Sequence, residues 1–152
     1  MSPKPIPDDY PRLSPYLCVD DAAAAVEFYS NVFGFEERLR IPAPGGKVGH
    51  SELQLGSAVV MVSDEYPEMG VLGPKAIGGT AVTISLYVED VDATFAAAVA
   101  AGAEVVEGVE DRFYGDRSGQ ISDPWGHRWS LATHLEDLTT DELLSRAEAM
   151  FG

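Results

Sequence analysis

The chain has 152 residues, 45% of them hydrophobic, with 25 acidic against 10 basic side chains and a net charge of −15. That length supports one domain, or two small halves sharing a core. The acidic balance excludes nucleic acid and anionic lipid as partners, because both need Lys and Arg to neutralise phosphate; it serves solubility alone or, beyond that, attracts a cationic ligand. No apolar run approaches the ~20 residues of a membrane helix. The opening stretch "MSPKPIPDDYPRLS" lacks the apolar centre of a signal peptide, so no export is expected. A single cysteine, Cys18, precludes an internal disulfide and suits a reducing compartment. A cytoplasmic protein is expected.

In chain order, a strand ending at Leu17 and Val19 meets the acidic pair Asp20-Asp21, which suits a helix N-terminus. The following helix carries Val26, Tyr29 and Phe33 at helical spacing and stops at Gly34, a residue suited to a left-handed cap. Strands are predicted over Phe35–Arg40, Val48–Leu55 and Ala58–Val62, the last two joined by a turn at Gly56-Ser57. "SDEYPEMGVLGPKAIGG" is rich in Gly and Pro and reads as a linker or a loop over a site. A second strand–helix passage follows through Leu86, Glu89-Asp90, Val91, Phe95, Ala98 and Val99 to Gly102. Strands over Glu104–Glu110, Asp116–Ile121 and His127–Thr133 come next, the last after a Pro124/Gly126 turn.

Aligned on their leucines, "LCVDDAAAAVEFYSNVFGFEE" and "LYVEDVDATFAAAVAAGAEVVE" are two copies of one unit about half a chain apart. The expected fold is therefore α+β, with two tandem β-α-β-β-β units over about 12–64 and 80–134 inside a single domain of 10–135. Residues 136–152 add a C-terminal helix opened by the capping-box pair Thr139 and Glu142. Its Leu143, Leu144, Ala147, Met150 and Phe151 suit it to cover a sheet edge or a partner subunit.

Strand alternation sorts the side chains into two faces. Leu17, Val19, Leu53, Leu55, Val82, Ile84, Leu86, Val88, Trp129 and Leu131 would pack under the helices. Ser14, Tyr16, Cys18, His50, Glu52, Gln54, Thr83, Ser85, Tyr87, Arg128, Ser130 and Ala132 would face away. That second set is polar or small but poor in Lys and Glu, which suits a wet ligand cleft better than open surface. Phe113 and Tyr114, just before "GDRSG", are candidates to line its mouth. Arg117 and Arg128 would hold an anion there or pair with the many carboxylates. Trp129 reads as core, and Trp125 lies in a turn where its ring could cover either core or ligand. His50 with Glu52 or Tyr16 forms a candidate acid/base pair, because histidine titrates near neutrality. No nucleophile–base pair, phosphate-binding glycine loop or zinc-type cysteine cluster stands out, and Cys18 reads as a small buried apolar residue.

The repeated units, "GFEE" after the first helix, "SELQLGSAVVMVSDE" and above all "DPWGHRW" resemble the vicinal oxygen chelate superfamily. That group includes glyoxalase I, extradiol dioxygenases, and fosfomycin- and bleomycin-resistance proteins; the resemblance covers about residues 10–135. It implies paired units curling a mixed sheet around a cleft, often completed by a homodimer. The positions where metal-using members carry ligands fall at Ser14, Met61 (or Val60), Thr83 and Ser130, none a customary divalent-metal ligand. No metal or other cofactor is therefore expected. The alternative donor set for a divalent metal is His50 and Glu52 with His127 or His134. The resemblance implies a metal-free protein that binds or sequesters a small molecule, as in antibiotic resistance of the bleomycin type. The alternative is a lyase, isomerase or transferase working through His50 and Glu52, with or without metal. A third expectation is a structural or regulatory module whose cleft binds nothing specific.

Overall fold

The computed structural model describes residues 2–152 and forms two compact units, one ending at Gly79 and the other spanning Thr80–Gly152. The first contains β1 (Tyr16–Val19), α1 (Ala22–Phe28), β2 (Glu36–Ala43), β3 (Lys47–Leu55), β4 (Ala58–Asp64) and a four-residue α2 (Pro74–Ile77). The second contains β5 (Thr83–Tyr87), α3 (Val91–Ala100), β6 (Glu104–Asp111), β7 (Asp116–Ser122), β8 (Arg128–His134) and α4 (Thr140–Phe151). Each unit is a four-stranded mixed sheet, in the order β1-β4-β3-β2 or β5-β8-β7-β6. In each, the outer strand before the helix runs parallel to its neighbour and the other pairings are antiparallel. This is the expected α+β class with tandem β-α-β-β-β units and a terminal helix.

The acidic residues cap their helices as their chemistry requires. Asp21 accepts from the Ala24 N–H and Asp90 from the Ala93 N–H, each at 3.1 Å, satisfying donors that an α-helix leaves open. The first helix does not run regularly to Gly34: it widens into a π-helical turn over Tyr29–Phe33 before Gly34 closes it with φ 87°. The wider turn lets Phe28, Tyr29 and Phe33 all reach the core, Phe28 edge-on to Phe33 at 5.6 Å and Tyr29 stacked on it at 6.0 Å.

The helix-facing sides follow the expected alternation. Leu17, Val19, Leu53 and Val62 are buried in the first unit, and Ile121, Trp129 and Leu131 in the second. Val82 does not join them. It precedes β5, has no strand parity and is 66% exposed. The stretch read as a linker or a loop over a site has structure of its own: Ser63 and Asp64 finish β4, Tyr66 bridges Val71 around a short turn, and only then does the chain pass through α2. Asp64 is buried and ties three elements together. Its Oδ1 accepts the Ala22 N–H that starts α1 (2.9 Å), and its Oδ2 accepts the Val48 N–H of β3 (2.7 Å).

"DPWG" makes a carboxylate-centred turn. Asp123 Oδ1 accepts the N–H groups of Trp125 and His127, both at 3.0 Å, while Oδ2 accepts the indole N–H of Trp129 at 2.9 Å. Gly126 takes φ 95°, which only glycine adopts without strain. Trp125 is itself buried, 8% exposed, so its ring covers core. At the C-terminus the predicted capping box forms between Thr139 and Glu142. The helix it opens is anchored to its own unit by Arg146 on Glu136 (2.7 Å) and by Phe151 edge-on to Phe113 (5.7 Å). Leu144, Met150 and Phe151 remain exposed.

Candidate functional site

On the open face of the first sheet, strand register places Tyr16, Met61 and Glu52 side by side on β1, β4 and β3. Two residues before Glu52, His50 on the same face joins the group. Its Nδ1 lies 2.6 Å from the Tyr16 hydroxyl and its Nε2 lies 3.0 Å from Glu52 Oε2. An ionised carboxylate only accepts, so Nε2 carries the hydrogen and Nδ1 accepts from Tyr16 in the neutral ring. Two further groups close on Glu52. The Tyr10 hydroxyl donates to Oε2, and Arg38 Nε sits 3.5 Å from Oε1. The Arg38 guanidinium also lies over the Tyr10 ring, 4.7 Å from its centroid.

The Tyr10 hydrogen bond, followed by those of His50 and the charge of Arg38, holds the Glu52 carboxyl below its usual range, although burial opposes them. Glu52 thus stands as a buried, fully ionised acceptor, a poor general acid at neutral pH. The same bond pushes the Tyr10 phenol up, with burial adding to it. Burial also raises Tyr16, keeping its hydroxyl protonated as a donor. Burial raises the Cys18 thiol as well, the carboxylates of Glu65 and Asp64 adding to it, so Cys18 is a thiol rather than a thiolate nucleophile.

Two hollows flank this network. One, of about 570 Å³, is lined by Tyr16, Cys18, Gly49, Ser63, Tyr66, Met69 and Val71, and its walls are mostly apolar. The other, of about 540 Å³, lies between the N-terminal segment and the sheet, with Tyr10, Arg38, Gln54, Ser57 and Val59 among its walls. Gln54 also bonds back to the Gly56 carbonyl at 3.2 Å. Ser14 Oγ, just before β1, is enclosed without a hydrogen-bond partner.

In the second unit Ser85, Ser130 and Gln120 sit side by side in register, with Thr83 beside Arg128 and Tyr87 beside Ala132. Phe113, Tyr114, Ser118, Gln120, Ser130 and Met150 are among the residues lining a hollow of about 240 Å³. A second polar cluster stands further along the strands. Tyr87 donates to Asp116 Oδ2 at 2.7 Å, and His134 places Nδ1 2.8 Å from Asp116 Oδ1 and Nε2 2.8 Å from Asp137 Oδ1. Two acceptor-only carboxylates around one ring require the imidazolium form. The bonds from Asp116 and Asp137 accordingly raise His134.

The structure therefore gathers Tyr16, His50, Glu52 and Met61 in one unit, with Gln54 at the neighbouring hollow, and Ser85 and Ser130 with Phe113 and Tyr114 in the other. Arg117 departs from the set. It points to the helix side of β7, where Asp92 of α3 takes its Nε at 2.8 Å and Asp111 its Nη1 at 2.9 Å, so it pairs with carboxylates. Trp125 also departs, being buried in its turn, and Arg128 is exposed at the start of β8. Sequence reasoning missed Tyr10, Arg38, Tyr66, Met69 and Val71. Tyr10 lies in an irregular segment without periodicity, and the Tyr66–Val71 loop lies in the stretch read as a linker or a loop over a site, without its residues singled out; a tyrosine ahead of a proline in each ("DYP", "EYP") is the available signal.

A divalent metal of the kind this fold often carries does not match these residues. The resemblance puts Met61 at one ligand position and Ser130 at another, and among the described residues no group of three His, Cys, Asp or Glu side chains is placed to hold a metal ion. Among those residues, too, no helix is long and apolar enough to cross a membrane.

Tandem β-α-β-β-β units with a polar open face on each sheet define the class, and the chain belongs to the glyoxalase/bleomycin resistance protein/dioxygenase superfamily, whose family model matches residues 12–131. It is 46% identical over 136 residues to the uncharacterized protein Mb0911c of Mycobacterium bovis, covering 88% of this chain and 90% of that one. Its fold matches the crystal structure of TioX from Micromonospora sp. ML1 with a TM-score of 0.64 and 33% identity, over 82% of this chain and 99% of that one. TnmS3 from Streptomyces sp. CB03234, an antibiotic binding protein, shares the fold with a TM-score of 0.59 and 22% identity, over 80% of this chain and 93% of that one.

Proposed function

We propose that the protein is a metal-free binding protein that sequesters a small molecule, of the bleomycin-resistance type, on the open face of its first sheet. The observation that carries this reading is the apolar hollow of about 570 Å³ walled by Tyr16, Tyr66, Met69 and Val71 beside the Tyr16–His50–Glu52 chain. Aromatic and thioether walls with a few fixed polar groups suit a drug-sized, partly flat ligand. The antibiotic binding of TnmS3, on the same fold, supports the ligand class. The net charge of −15 and the ionised Glu52 favour a cationic ligand. Exposed Val105 and Val106 on β6, with Leu144, Met150 and Phe151 on α4, support a homodimer, and a Cys18 held in no disulfide supports a cytoplasmic location.

The deciding experiment is isothermal titration of purified protein with bleomycin and a panel of cationic aromatic antibiotics, followed by recovery of the ligand. Saturable binding with the ligand recovered unchanged is expected, together with a dimer in light scattering. Turnover of the ligand to product would overturn sequestration in favour of the second reading, proton transfer through Tyr16, His50 and Glu52. That second reading rests on the 2.6 Å contact between the Tyr16 hydroxyl and His50, and it requires His50→Ala to abolish product while binding survives.

A further inference from the structure

The hollow between the N-terminal segment and the first sheet is walled on one side by a side chain that behaves as a ligand would. Tyr10 comes from an irregular stretch, lays its ring under the Arg38 guanidinium and donates its hydroxyl to Glu52, whose own backbone is fixed in β3. Glu52 is 4% exposed and also engages His50 (3.0 Å) and Arg38 (3.5 Å), so the acceptor is held in place whether or not Tyr10 is seated. The segment is held to the sheet here by this contact and by Arg38, which bonds the Asp9 carbonyl at 3.2 Å and pairs with the Asp9 carboxylate at 3.6 Å. Beside it lies about 540 Å³ of space walled by Gln54, Ser57 and Val59.

We propose that the seat of the Tyr10 ring, beside this hollow, is a binding subsite for a phenolic ring, that Tyr10 is its resident occupant, and that a ligand carrying an aromatic hydroxyl enters by displacing Tyr10. The inference deepens the reading of the open face as a small-molecule site and rests on it. A buried carboxylate selects a neutral hydroxyl donor, because a phenolate would meet like charge. The guanidinium face selects an aromatic ring over an aliphatic alcohol. Tethered Tyr10 competes at a high effective concentration, so the site rejects weak phenols and admits ligands that gain further contacts in the adjoining space.

The test uses full-length protein and 4-nitrophenol, whose yellow phenolate absorbance falls when the neutral phenol is bound. Tyr10→Phe keeps the ring that fills the subsite but removes the hydroxyl that holds it. We expect 4-nitrophenol to bind Tyr10→Phe about ten-fold or more tightly than the wild type, the scale of one hydrogen bond to a charged acceptor. Binding should be accompanied by faster amide exchange in residues 8–10, and Glu52→Gln in the Tyr10→Phe background should weaken it. The matched compound without a hydroxyl, 4-nitrotoluene, should bind neither protein. Equal affinity for wild type and Tyr10→Phe, or binding of 4-nitrotoluene as tight as that of the phenol, would overturn the proposal. No antibiotic enters this comparison, so a failure of antibiotic sequestration and a failure of the phenol subsite are separately visible.

Discussion

Replacing Asp123 is expected to be among the most destabilising single changes in the second unit, although the residue is a polar member of a turn. Its carboxylate accepts three N–H groups, two from the turn backbone and one from Trp129, a side chain with no exposed surface. Asp123→Ala removes all three acceptors at once. His127 N lies in a half-buried residue and can turn to water, but Trp125 and Trp129 are buried. Each buried donor deprived of its acceptor costs about 1–3 kcal/mol, so the loss is about 2–6 kcal/mol in total. Against a whole-domain stability of about 5–15 kcal/mol, that displaces a urea midpoint far outside error. Asp123→Asn separates the contributions. Its amide oxygen keeps the backbone bonds, while its NH₂ faces the indole N–H donor to donor, so the loss falls to about 1–3 kcal/mol. The assay is equilibrium urea unfolding followed by tryptophan fluorescence, with the slope checked for constancy. An Asp123→Ala loss under about 1 kcal/mol would refute the claim that this carboxylate organises the turn and holds Trp129.

Three further outcomes are expected. His134 has a folded-state pKa raised by Asp116 and Asp137, so its contribution is fully present below the unfolded value of about 6.5 and is lost as pH rises through the folded value; urea midpoints across that range should fall for the wild type and stay flat for His134→Gln. Glu52 runs the opposite way: its lowered pKa gives stability present above about 4.3 that is lost as pH falls, and acid titration of Glu52→Gln should lack that step. A Cβ on Gly119 would lie 2.8 Å from Phe95 and 2.9 Å from Val109, whereas one on Gly108 meets nothing within 4 Å; Gly119→Ala should cost about 1–3 kcal/mol in urea melts and Gly108→Ala within about 0.5.

Much of the fold was legible because its signals are local. Acidic pairs before Ala-rich segments and glycines after them mark helix ends, and parity assigns Leu53, Trp129 and Leu131 to the core. The strands extend one to three residues past several predicted ends, as β2 does to Ala43, because pairing partners rather than residue type decide where a ladder stops. The candidate site was legible in part. His50, Glu52 and Tyr16 fall on one face by period-2 counting, but parity alone cannot say that Tyr10 reaches Glu52 across 42 positions in sequence. For Arg117 the sequence left an anion or a carboxylate partner open, and parity could not choose between them, because its partner Asp92 lies on a helix, 25 positions away. Nor does a strand pattern disclose that the Tyr66–Val71 loop turns back to wall a hollow.

The two units share topology, yet their equivalent strands carry different chemistry. The register row Tyr16–Met61–Glu52 in the first corresponds to Ser85–Ser130–Gln120 in the second. One row offers a phenol, a thioether and a carboxylate; the other offers two hydroxyls and an amide. Neither row holds a nitrogen donor, and Glu52 is the one carboxylate in the two, which is short of the donor set a divalent metal draws on. The charge in these rows therefore lies on the first sheet, where ionised Glu52 is buried beneath Tyr10 and Arg38. The corresponding row of the second sheet is neutral, and that sheet's own charged cluster, Asp116 with His134, stands at a separate level of its strands.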